Sequence, residues 1–132
     1  MEEEIGGRGG LQRSGFDPAR LTPTDAWTVE MLQDGEVVLS AGAGSLAIPF
    51  QLPKPKPCKY YVTNMRVIAV LDAPRSAFAV PWADIDGVEA KSGLFYGKCK
   101  IHFGPAWAML DSTKAMISDI GSAWAQYRRQ TV

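Results

Sequence analysis

The sequence predicts an α+β domain that is mainly β: a bent antiparallel sheet or open barrel of about seven short strands, capped by one C-terminal helix. Three observations predict it. Lys59–Leu71 (KYYVTNMRVIAVL) reads as two strands around a polar corner at Asn64-Met65-Arg66, where a short amide side chain tolerates unusual backbone angles. Lys98–Phe103 alternates polar and apolar residues, the mark of a sheet with one wet face. After Asp111 the period changes to that of a helix, with Met116, Ile117, Ile120, Ala123, Trp124 and Tyr127 on one face. A chain of 132 residues supplies one core of this kind.

Taken in order, residues 1–20 are Glu-rich and then Gly- and Arg-containing, with only Leu11 and Phe16 as apolar anchors. That composition does not offset the entropy of ordering, so the segment is predicted as a flexible arm, with the domain proper over residues 21–132. Leu21-Thr22-Pro23-Thr24-Asp25-Ala26-Trp27 is a lead-in in which Pro23 sets a turn and Trp27 can dock. Gly35 marks a turn, Glu36–Ala41 a first strand, and Gly42-Ala43-Gly44-Ser45 breaks it. Leu46–Phe50 is a short extended piece, edge-like because of Pro49. Gln51-Leu52-Pro53-Lys54-Pro55-Lys56-Pro57 reads as a stiff polyproline-like loop.

The Lys59–Leu71 hairpin follows, then a turn at Asp72–Arg75 and a strand over Ser76–Pro81. Val88–Lys91 and Lys98–Phe103 are further strands. Gly104-Pro105 turns the chain into Trp107–Leu110, which completes the sheet. Asp111, Ser112 and Thr113 offer capping oxygens to the helix, and Arg128 and Arg129 suit its C-terminal dipole. Gly121 interrupts the helical pattern at a cost of about 1 kcal/mol. It is expected to serve a close approach of helix to sheet.

The formal charge of zero conceals a segregated layout. Eight of the 14 acidic residues precede Val37, whereas Val37–Leu71 holds no acid and carries Lys54, Lys56, Lys59 and Arg66. Such segregation can build a basic face on a neutral protein. The start, Met1-Glu2-Glu3-Glu4, lacks the basic and apolar regions of a signal peptide, and no window reaches the length of a membrane span. The expected location is the cytoplasm, with the nucleus or the membrane periphery as alternatives. Two cysteines, Cys58 and Cys99, fit a reducing compartment as small core residues.

Catalytic chemistry finds no inventory. The single histidine, His102, sits in an alternating strand, where it reads as a solvated side chain. Cys99 and His102 would be two metal ligands where four are needed. Gly42-Ala43-Gly44-Ser45 lacks the Gly-Lys-Ser/Thr ending of a phosphate loop, and Asp84, Asp86 and Glu89 lack the spacing of a calcium loop. No catalytic residue, metal, cofactor or small-molecule substrate is assigned. Without a basic helix or an aromatic sheet motif, nucleic acid is not an expected partner.

The order Tyr61-x-Thr63-Asn64-x-Arg66 before an apolar run, then Phe78-Ala79-Val80-Pro81 and Asp84-Ile85-x-x-Val88, resembles GRAM domains, a branch of the pleckstrin-homology (PH) superfold. Leu21-Thr22-Pro23 and Gly35-Glu36-Val37-Val38-Leu39 are similar to the opening of the WW-domain-binding-protein-2 type. The resemblance runs from about Leu21 to Trp124. It lacks that type's Pro-Pro-x-Tyr tail: the sequence holds no such motif, and Pro57-Cys58-Lys59-Tyr60 is missing the second proline. The resemblance implies a PH-like sheet with its open end plugged by the helix. It also implies a binding role, since this superfold hosts lipid, peptide and protein binders alike.

Two functional readings follow. One is a non-catalytic protein–protein adaptor or small subunit of a larger assembly, docking through Leu94, Phe95 and Tyr96 if their turn between two glycines faces solvent; folded inward, the triplet would be a satellite of the core. The other is peripheral binding to phosphoinositides or other anionic lipids through Lys54, Lys56 and Lys59, with Lys98 and Lys100 adding to the patch.

Overall fold

A computed structural model describes residues 15–130. Its elements are α1 (Pro23–Glu30), β1 (Val38–Ile48), β2 (Leu52–Thr63), β3 (Arg66–Asp72), β4 (Arg75–Pro81), a 3-10 turn (Trp82–Asp84), β5 (Gly87–Ser92), β6 (Tyr96–Phe103), β7 (Ala106–Thr113) and α2 (Lys114–Gln130). The seven strands form one antiparallel sheet in the order β4-β3-β2-β1-β7-β6-β5. The sheet curls until Phe78 on β4 meets Phe103 on β6, with ring centroids 5.7 Å apart. The expected class is what the structure shows: mainly β, with a C-terminal helix and, in addition, a short N-terminal one.

The helix α2 lies across the concave side. Its buried face is Met116, Ile117, Ile120 and Ala123, joined by Asp119, whose carboxylate accepts a 2.8 Å hydrogen bond from the Ser40 hydroxyl. This inner core includes Tyr60, Val62, Trp82, Ile101 and Leu110, together with Cys58 and Cys99 as buried free thiols. Thr113 caps the helix by accepting from the Met116 N–H at 3.2 Å. Asp111 and Ser112, expected as further caps, belong to β7 instead.

A second apolar layer covers the other side of β1–β3. Ala41, Tyr61, Ile68 and Val70 are buried there beneath Phe16, Met31 and Leu32. The Lys59–Leu71 strands are therefore buried on both faces, which is why Tyr60 and Tyr61, neighbours pointing opposite ways, are both 0% exposed. Most of the expected arm, residues 1–14, lies outside the described residues. Phe16 packs edge-on against Tyr61 at 6.3 Å.

The lead-in expected around Pro23 is a helix. Thr22 accepts from the Asp25 N–H while the Asp25 carboxylate accepts from the Thr22 N–H, a reciprocal cap, with proline at the first helical position. Asp25 is 1% exposed and also accepts from Lys59 Nζ at 2.8 Å and from the Tyr61 hydroxyl at 2.5 Å. These bonds pin α1 to β2.

Two further expectations are corrected. Gly42-Ala43-Gly44-Ser45 does not break the first strand; β1 runs through it, and Leu46–Ile48 is its continuation. Glycine is required at position 44 because a Cβ there would lie 2.1 Å from the Asp111 carbonyl oxygen and 2.6 Å from Tyr60 Cε2. The demand comes from close packing, not from a turn. Likewise Leu52–Pro57 is no free polyproline loop but the first half of β2, with Pro57 opposite Ser45, Lys56 opposite Leu46 and Leu52 opposite Ile48. Prolines at every second residue put their missing donors on one edge of the strand. That edge carries no β3 partner until Cys58 pairs with Leu71.

The corner that carries the sequence resemblance is a clamp. Glu36 accepts from Arg66 Nε at 2.8 Å, Arg66 Nη2 at 3.0 Å, the Thr63 hydroxyl at 2.7 Å and the Gln33 N–H at 2.9 Å. Arg66 Nη2 also donates to the Met31 carbonyl at the end of α1. Asn64 holds the preceding turn, accepting from the Val37 N–H and donating to the Gly35 carbonyl. Burial pushes the Glu36 carboxyl upward, but these donors outweigh it and hold the group below the ordinary glutamate value.

Candidate functional site

The expected basic patch does not assemble. Lys59 is committed to Asp25 and lies over the Tyr61 ring. Lys56 stands opposite the core residue Leu46, on the inward-facing side of β2, and Lys54 shares its exposure. Lys98 and Lys100 flank buried Cys99 and so point to the outer face of β6, where Lys100 Nζ sits 4.2 Å from the Trp107 ring centroid. The five lysines thus divide between opposite faces and prior commitments.

His102 also lies on the outer face, paired through Nε2 with Glu89 of β5. That hydrogen bond holds the Glu89 carboxyl below its ordinary value. Asp86 is taken up structurally, accepting from the Gly104 N–H at 2.7 Å. Among the described residues no group of three His, Cys, Asp or Glu side chains is placed to hold a metal ion.

The β5–β6 turn is different. Leu94, Phe95 and Tyr96 are 79%, 71% and 72% exposed. The sequence left open whether this triplet folds inward; the structure turns it to solvent, where a Phe95 carbonyl bond from the Lys114 N–H fixes the turn against the start of α2. The turn is flanked on two sides by concave surface. On the outer face a cavity of about 610 Å³ is lined by Ala43, Ser45, Lys91, Tyr96, Lys98 and Asp111. Asp111 Oδ1 is buried there without a hydrogen-bond partner among the described residues. On the inner side a groove of about 400 Å³ separates β5 from α2. Between them runs β5 itself, which among the described residues pairs only with β6 and is one of the two edges of the sheet.

Sequence reasoning missed both this edge and Phe50. Phe50 is 100% exposed at the β1–β2 turn and adopts a φ of 69°. A bulky residue at positive φ is strained, so its exposure at that tip is an uncommon combination. Its neighbours across a cavity of about 290 Å³ include Phe78, Phe103 and Trp107.

Among the described residues no helix is long and apolar enough to cross a membrane. No family model matches the sequence, and no curated protein matches it. Among solved structures, the C-terminal domain of an unknown protein from Leishmania infantum is similar, with a TM-score of 0.57 at 12% identity over 70% of this chain and 87% of that one. A structure of SsgB from Streptomyces coelicolor, described for mutations that correlate with longitudinal cell division during sporulation, matches at a TM-score of 0.38 and 13% identity over 69% and 87% of the two chains. The first likeness concerns the fold alone; the second carries no argument.

Proposed function

We propose that this is a non-catalytic binding module, GRAM-like in type, that works in the cytoplasm as a protein–protein adaptor or small subunit of a larger assembly. One observation carries the reading: an edge strand, β5, leads directly into a turn that exposes Leu94, Phe95 and Tyr96 to solvent. Contiguous exposure of large apolar side chains beside unpaired backbone is costly to a lone soluble domain and suits a partner surface.

The test is capture of a stoichiometric partner from native cells by the tagged chain, with and without a Leu94→Ser/Phe95→Ser change. Both side chains are exposed, so the variant keeps its unfolding midpoint and loses the partner. Retention of the partner by a folded variant overturns the reading.

Phe50 favours a second reading, peripheral attachment to anionic membranes through its ring, with Lys54 and Lys56 following it on β2. Burying the ring contributes about 1.5–3 kcal/mol and each lysine near an anionic surface about 1 kcal/mol, about 3.5–5 kcal/mol together. That is comparable with a single acyl chain, whose hold on a bilayer is marginal. Salt-sensitive co-sedimentation with phosphoinositide vesicles, abolished by Phe50→Ala, would promote this reading over the first.

A further inference from the structure

The groove beside β5 has features that the packing of this chain does not use. Ala90 is exposed although Cys99, directly opposite it on β6, is 0% exposed. The helix therefore reaches β5 but leaves Ala90 uncovered. Its facing surface is Ser118, Gly121 and Ala125, with Ile117 as the floor. Gly121 was expected to permit a close approach of helix to sheet. Instead a Cβ at that position would meet nothing within 4 Å. A glycine in mid-helix weakens the helix, and here no contact within the described residues compensates for it.

At one end of the groove stands Lys114, while Lys91, opposite Lys98 in register, points to the outer face beside it; neither is in an ion pair among the described residues. Among the described residues no acidic side chain lines the groove. The space is bounded on one side by the open hydrogen-bonding edge of a six-residue strand and on the other by small side chains. An added strand of about six residues spans about 20 Å, with alternate side chains on each face.

We propose that β5 and α2 together bind an extended peptide segment of a partner protein, which adds to the open edge of β5 as a further strand. Its small side chains enter the groove, where an acidic residue meets Lys114, and an acidic residue on its other face meets Lys91. Main-chain pairing supplies affinity and the groove supplies selectivity. The proposal rests on the protein-binding reading above and adds to the turn a second contact, in the groove beside it.

The test selects binders from a random library of displayed linear 12-residue peptides on the full-length chain, then assays the selected peptides on variants. Peptides carrying an acidic residue are expected. They should protect outward amides of Val88–Ser92 from hydrogen exchange and lose at least tenfold in affinity with Gly121→Leu, which fills the groove from an open helix position. A Lys91→Glu/Lys114→Glu change should cost a similar factor and remove the salt dependence.

Selected peptides that ignore Gly121→Leu, or no selected peptides at all, overturn the proposal. Loss of native partner capture in Leu94→Ser/Phe95→Ser then still upholds the adaptor reading alone. Protection of the β5 amides in the free protein at every concentration assigns the groove to the chain's own segment and overturns the proposal. Concentration-dependent dimerisation abolished by Gly121→Leu assigns it to a second copy and does the same.

Discussion

Replacing Arg66 by methionine should be the most informative single change in the fold. The guanidinium makes two hydrogen bonds to Glu36, at 2.8 and 3.0 Å, and a third to the Met31 carbonyl. The Glu36 side chain is 0% exposed and that of Arg66 11%. The methionine fills part of the volume but leaves a buried carboxylate facing only the Thr63 hydroxyl and the Gln33 N–H. Removing one partner of a buried pair costs about 3–5 kcal/mol at neutral pH. A domain of ordinary stability, about 5–15 kcal/mol, remains folded after such a loss.

Urea unfolding at a series of pH values is the assay. In the wild type the folded Glu36 pKa is depressed, so its contribution is fully present above the unfolded value near 4.3 and is lost as pH falls through the folded value. In Arg66→Met burial dominates and raises that pKa, so the buried group is protonated at a cost that shrinks on acidification. The gap between the two proteins should therefore narrow from pH 7 towards pH 4. Adding Glu36→Gln to the variant should recover about half of the loss, because no bare charge remains. A gap below about 1 kcal/mol at pH 7, or one that widens in acid, would refute the clamp as the source of stability.

Three other changes test separate parts of the structure. Gly44→Ala should cost more than about 3 kcal/mol, since backbone of β7 and the Tyr60 ring both block the methyl, whereas Gly121→Ala should stabilise by about 1 kcal/mol; equal effects in urea unfolding would refute the assignment of the two glycines. Burial pushes the Cys58 thiol up to about 11 and the Cys99 thiol to about 12, so neither should react with a disulfide reagent at pH 8 until the chain unfolds. Labelling of the native protein at the rate of a free thiol would contradict that burial. Asp25→Asn keeps the shape of the α1 cap but loses the charge that Lys59 and Tyr61 address, about 1–3 kcal/mol. Hydrogen exchange should rise over Ala26–Glu30 before it rises in β6 and β7, and uniform loosening would show that α1 is not pinned by this bond network.

The elements legible in the sequence were those whose pattern is local. β3, β4, β6 and β7 announce themselves by apolar runs or alternation, and α2 by its helical stripe. The misses share a cause: the deciding partner lies far along the chain. Gly42 and Gly44 read as a turn until Tyr60, Asp111 and Met116 are brought against them. Pro53, Pro55 and Pro57 read as a free rod until β1 pairs with one side only. The helix α1 was hidden because its buried side includes Asp25 and Thr28, polar residues that break the hydropathy stripe. Its Thr22-Pro23-Thr24-Asp25 cap was the signal that could have found it. For the site, the triplet Leu94–Tyr96 was identified but not its exposure, and charge counting could not reveal that Lys59 is consumed by Asp25. The edge position of β5 follows from strand order, which pairing across the whole sheet decides.

That strand order also sets a timetable. β1, β2, β3 and β4 form one meander of sequence neighbours, and β5, β6 and β7 form another. Their backbones pair along the short seam where Gly44, Ser45, Leu46 and Ala47 of β1 pair with Ser112, Asp111, Leu110 and Met109 of β7. Closing that seam spans most of the domain, so its loop-closure entropy falls on a late step of folding. A chain still emerging from the ribosome holds β1 with one bare edge until β7 has been made, and α2 arrives last to seal it. The vulnerable interval for this domain is therefore the synthesis of β5, β6, β7 and α2, when a strand edge of β1 waits for its partner.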